Sequence, residues 1–160
     1  MKEPFRRFVC DVCGKEINAE DAMLQWLQKP TEESKIHPFL EELEAIHICC
    51  NRKPCDSGYE QRALRERLHE QWNHLNTFMG ADGIDSLLTF PLGRTIPDTV
   101  QQDFLEIQRR LTIPHYEEAR QFFSSAYQDY HIDDLEAYRE GHRTWSQHLL
   151  KLIIEEYSQE

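Results

Sequence analysis

The chain has 160 residues, of which 39% are hydrophobic and 29% charged, enough apolar material for a buried core and too much for wholesale disorder. Its 18 Lys and Arg against 29 Asp and Glu give a formal charge of −11, which argues against charge-driven binding to nucleic acid or to an anionic membrane. No apolar run approaches the ~20 residues that span a bilayer, and none follows the N-terminus as a signal peptide does, so the expected address is cytoplasmic.

Taken in chain order, Phe5 to Val9 reads as a short strand running into Cys10-Asp11-Val12-Cys13-Gly14. Gly14 follows the second thiol, where a tight metal-binding turn needs positive φ. Residues 22–28 read as a second strand. Pro30 and Thr31-Glu32-Glu33-Ser34-Lys35 mark a loop, and residues 38–44 read as a short helix. Ala45-Ile46-His47-Ile48-Cys49 alternates as a third strand.

From Ser57 the apolar period changes to that of a helix, with Leu64, Leu68, Trp72, Leu75 and Met79 on one stripe. Thr95-Ile96-Pro97 and Thr112-Ile113-Pro114 each predict a helix start, Thr capping and Pro in the first turn. The first of these helices, 98–111, carries Val100, Phe104, Ile107 and Leu111. The second, 115–129, carries Tyr116, Ala119, Phe123 and Ala126. A last helix begins near Asp133, with Glu136 completing a capping box, and its stripe includes His142, Trp145, Leu149 and Leu152. The predicted fold class is therefore α+β, mostly α: a small β-rich module at 1–56, then an antiparallel bundle of about four helices at 57–160.

The chemistry is concentrated near the N-terminus. All five cysteines, Cys10, Cys13, Cys49, Cys50 and Cys55, lie in the first third of the chain. An odd number without a secretion signal fits a disulfide framework poorly, whereas clustered thiols in a reducing compartment bind metal. Two residues between Cys10 and Cys13 let both sulfurs face one tetrahedral ion, and four thiolate or imidazole ligands suit a structural Zn2+. Cys55, at the mouth of a helix, is the third choice. On an alternating strand Ile46, Ile48 and Cys50 share one face and His47 and Cys49 the other. If the isoleucines face the core, Cys49 turns to the metal, ahead of Cys50 or His47. The expected ligand set is Cys10, Cys13, Cys49 and Cys55.

The run Phe8-Val9-Cys10-Asp11-Val12-Cys13-Gly14-Lys15-Glu16-Ile17, then Gln25-Trp26-Leu27, then a strand ending in His and Cys, resembles zinc-ribbon or treble-clef knuckles over about residues 5–60. Such modules open many small bacterial and phage proteins. The resemblance implies a fold and a metal, not an activity.

Three other features of the sequence bear on function. His69-Glu70-Gln71-Trp72-Asn73-His74 has one residue more than the HExxH motif of metalloproteases. On a regular helix its histidines stand about 140° apart and could hold one ion only if the helix bulges, the basis of a third reading as a metal-dependent hydrolase using His69 and His74. Arg52, Lys53, Arg62, Arg65 and Arg67 form a basic cluster interleaved with Glu60, Glu66 and Glu70, the basis of an alternative reading as a zinc-assisted nucleic-acid-binding or regulatory module. Phe122, Phe123, Tyr127 and Tyr130 crowd one short helix and suggest an interface. The leading expectation is a non-enzymatic, zinc-stabilised accessory protein, without catalytic residues, that binds a protein partner or a second copy of itself.

Overall fold

The computed structural model describes residues 5–32, 41–50, 55–129 and 145–158. The expected start of the last helix at Asp133, His142, Tyr130, Arg52 and Lys53 lie outside the described residues.

Two strands make the first hairpin, β1 (Arg7–Val9) and β2 (Glu16–Asn18), which pair antiparallel with Phe8 opposite Ile17. Both of these side chains are buried. A second sheet has four strands in the order β5-β3-β4-β6: β3 (Met23–Lys29), β4 (Glu41–Cys49), β5 (His69–His74) and β6 (Arg94–Thr95). β3 is antiparallel to β4 and β5, and β6 lies parallel to β4. The register between β3 and β4 shifts at Leu27/Gln28, leaving Glu44 as an extra residue on β4. That bulge reverses the side-chain alternation, so Leu43 joins Ile46 and Ile48 in the main core although its number has the other parity.

Six helices appear among the described residues: α1 (Tyr59–Glu66), α2 (Gly80–Thr89), α3 (Asp98–Thr112), α4 (Tyr116–Ala119), α5 (Phe123–Asp129) and α6 (Gln147–Tyr157). The fold is mixed α/β. α3 buries Val100, Phe104, Ile107 and Leu111, the stripe read from the sequence, against the sheet face that carries Leu24, Trp26, Leu43, Ile46 and Ile48. Phe78 and Phe90 meet Trp26 edge-on, and Phe104 stacks on Phe90 at 5.6 Å. α1 covers the opposite sheet face through Ala63, packed in a small cluster with Leu27 and Leu68. Tyr116, Ala119, Ala126, Trp145, Leu150, Ile153 and Ile154 form a separate core among α4, α5 and α6.

Several expectations are corrected. Residues 41–44 are strand, not helix. The long helix expected from Ser57 stops at Glu66, where Arg67 takes the left-handed conformation (φ 58°). Residues 69–74 then pair with β3, whose central position offers backbone hydrogen bonds along its whole length. Trp72 is consequently exposed, while Leu75 is buried from a following 3-10 turn. The four-stranded sheet and the main core thus run across the expected module boundary at 56/57. Neither threonine of the repeated Thr-Ile-Pro caps a helix: Thr95 lies in β6, and Thr112 ends α3 with its hydroxyl donating to the Gln108 carbonyl. α6 starts afresh at an extended Ser146, whose hydroxyl accepts from Leu149 N–H. In this helix Leu150, Ile153 and Ile154 face inward and Leu152 is exposed, a different face from the expected stripe.

Candidate metal centre

The knuckle is built by the β1–β2 turn. Cys10 follows β1, its N–H donates to the Lys15 carbonyl, and Gly14 N–H donates back to the Cys10 carbonyl, both at 2.9 Å. Gly14 takes φ +69°, as the turn requires. Asp11 ties this turn to β4: its N–H donates to the Ile48 carbonyl at 2.9 Å, and Ile48 N–H donates to Asp11 Oδ2 at 2.7 Å. Cys50 leaves β4 two residues after that clamp, and Cys55 lies four residues before α1.

Three chain segments thus deliver Cys10, Cys13, Cys50 and Cys55 to one place. Their sulfurs all lie within 4.8 Å of one another, with Cys10–Cys55 at 3.5 Å and Cys13–Cys50 at 3.9 Å. Metal–sulfur bonds of ~2.3 Å in a tetrahedron place sulfurs about 3.8 Å apart, so the set has the size a zinc ion requires. A disulfide needs ~2.05 Å, and these four cysteines stand as thiols. Cys10 and Cys50 are buried, Cys55 is half-buried and Cys13 is exposed. Burial foremost, then the neighbouring thiols of Cys50, Cys10 and Cys13, push the Cys55 thiol well above its ordinary range. A divalent cation reverses this effect, because thiolates crowded around it are neutralised. The four cysteines are positioned to bind a metal ion, and an all-thiolate set is compatible with zinc.

Cys49, expected as the fourth ligand, is not in the cluster; Cys50 stands there instead. The isoleucines do face the core, as the alternation predicts. The thiol cluster borders the main core, alongside Phe8, Ile17 and Ile48; Cys49 and Cys50 both belong to that core, and Cys50 is the one whose sulfur joins the other three thiols. Cys49 Sγ instead donates to Gln25 Oε1 at 3.6 Å. His47 bonds the same amide oxygen at 2.8 Å and stacks on Tyr59 at 4.1 Å. Cys55 is not on a helix N-terminus: α1 begins only at Tyr59, after a left-handed Gly58.

A residue the sequence reading passed over holds the knuckle to the helical body. Arg110 on α3 is 1% exposed. Its guanidinium donates to both Asp11 oxygens at 2.7 Å, to the Val9 carbonyl at 2.8 Å and to Glu117 at 2.6 and 3.0 Å. Glu117 on α4 also accepts the Val9 N–H at 2.6 Å. The available signal was an arginine three residues after Ile107, beside an otherwise apolar stripe.

The remaining candidates are placed differently from expectation. His69 and His74 lie on a strand five residues apart, about 17 Å along it and on opposite faces. They cannot share one ion. His69 pairs with Glu41 at 2.8 Å. Arg62 is bound to Glu44 and Glu66, and Arg65 to Glu66, so these members of the basic cluster are matched by acids. Phe122 and Phe123 pack into the C-terminal core, Phe123 stacked on Trp145 at 4.6 Å, and so serve an internal contact. No described helix is long and apolar enough to cross a membrane. Compared with protein-family models, with curated proteins and with solved structures, the chain matches none.

Proposed function

We propose that this chain is a non-enzymatic accessory protein, stabilised by a structural Zn2+ on Cys10, Cys13, Cys50 and Cys55, that acts by binding protein. The observation that carries the reading is the sulfur tetrad: four thiols from three separated segments at the spacing of one tetrahedral ion. All four positions are filled by protein sulfur, leaving none open for a water or a substrate, which is the pattern of a folding site rather than a catalytic one. The tetrad joins the hairpin, the end of β4 and the approach to α1, parts of a small β-rich region that gains its rigidity from such a staple. The acidic surface, with its charge of −11, suits a protein partner better than a nucleic acid.

Metal content of the purified chain tests this. One zinc per chain is expected, with cobalt substitution giving the intense absorption of tetrahedral thiolate coordination. Cys50→Ser should lose the metal and Cys49→Ser should keep it. Full zinc retention in Cys50→Ser, or a chain that folds without metal and binds none, overturns the reading.

A further inference from the structure

Resting on the protein-binding reading, we infer that the outer edge of β5 is a self-association surface, on which a second copy of the chain adds its own β5 antiparallel to form a continuous eight-stranded sheet. β5 is the end strand of its sheet, and no strand among the described residues pairs with its other edge. The ladder geometry says which residues face that edge. Leu75 N–H donates to the Ala22 carbonyl at 2.9 Å, just beyond the Met23–His74 pair. Met23–His74 is therefore a pair without direct hydrogen bonds, and by alternation so are Gln25–Trp72 and Leu27–Glu70. Glu70, Trp72 and His74 turn their backbone N–H and C=O groups outward. His74 N–H, lacking a strand there, is met by Asn73 Oδ1 at 2.8 Å.

The side chains choose the occupant. An antiparallel pair centred on Trp72 sets Trp72 against the Trp72 of the second copy, Glu70 against its His74, and Gln71 against its Asn73. A carboxylate against an imidazole, paired aromatic rings and paired amides meet across positions 70 to 74, and twofold symmetry repeats the outer matches. A shift by one residue sets His69 against His74 and loses the match of acid to base. Trp72, at the centre, is 58% exposed and already meets His74 edge-on at 6.2 Å. Leu64, on the helix that covers this same sheet face, is exposed as well. One strand pair buries less than the ~1,600 Å² of a standard interface, so the dimer exchanges with monomer.

Sedimentation equilibrium of the zinc-loaded full chain across a wide concentration range tests the pairing. A species of twice the 19.1 kDa chain mass should grow with concentration. His74→Glu alone should weaken the dimer roughly tenfold, since it sets two carboxylates opposite one another, and Glu70→Lys alone should weaken it by removing the acid that faces the imidazole. The double variant exchanges the charges and should restore association to near the parent level. A chain that stays monomeric at every soluble concentration overturns the pairing, as does a dimer indifferent to both single variants or one abolished instead by Leu88→Glu on α2. A folded, zinc-loaded monomer removes this inference and leaves the zinc-stabilised reading standing. A charge-swappable dimer without bound zinc does the opposite.

Discussion

His47 shows how one buried side chain sets a pH response. Its ring sits between the Gln25 amide and the Tyr59 face, and burial pulls its pKa down to about 4 from an ordinary 6.5; Asp11 partly opposes the shift and Arg110 adds to it. In the unfolded chain the imidazole binds its proton near pH 6.5, and in the folded chain only near 4. Between those values the unfolded state holds the extra proton, so stability falls as the pH drops through the window and levels off below it. The full loss is about 3 kcal/mol. Thiolate–metal bonding weakens in the same range, but that contribution is common to parent and variant. Denaturant unfolding of zinc-loaded parent and His47→Gln at several pH values separates the two. The variant should show a shallower loss between pH 6.5 and 4. Parallel curves would mean that His47 is protonated in the fold at little cost.

At the scale of elements, the decisive joint is Arg110. It binds the knuckle through Asp11 and Val9 and the start of α4 through Glu117, so α3 is held to both neighbours by one guanidinium. Arg110→Met leaves Asp11 and Glu117 without their cation and is expected to cost about 3–5 kcal/mol, read from chemical denaturation. Arg110→Lys keeps the charge but not the planar fork, and should recover only part of that loss. A loss below about 1 kcal/mol for the methionine variant would show that packing, not the ion network, makes the joint.

This joint also marks the limit of what the sequence discloses. The strands at β1 and β3, the buried stripe of α3 and the knuckle thiols Cys10 and Cys13 follow from local pattern and spacing. Arg110 does not, because its meaning depends on a partner 99 residues away. The stripe of Leu64, Leu68, Trp72, Leu75 and Met79 misled for a related reason. Helical period is a local signal, and the pairing of 69–74 with β3 is not. The choice between Cys49 and Cys50 turned on where the other three thiols lie, a matter of tertiary placement that alternation alone leaves open.

For the whole molecule, the arrangement of two cores around one joint predicts an order of loosening. The main core reaches from Phe8 to Leu111 and carries Cys10 and Cys50 among its buried members, with Cys55 packed against it; the second, from Tyr116 to Ile154, contains no cysteine. A metal bound at the cysteines stabilises the folded state by an amount that grows with free zinc, about 4 kcal/mol at a thousandfold excess over Kd. Its removal by a chelator acts first where the ligands are. Amide hydrogen exchange should therefore quicken in β1, β2 and the Ile46–Cys49 end of β4 before it quickens in α6. The signal reaches α4 through Asp11, Arg110 and Glu117 and through the Val9 N–H bond to Glu117, so Arg110→Met should weaken the coupling and lessen the effect of chelation on exchange in α6. The opposite order, with α6 opening first, would mean that the second core depends on the metal by a route other than this joint.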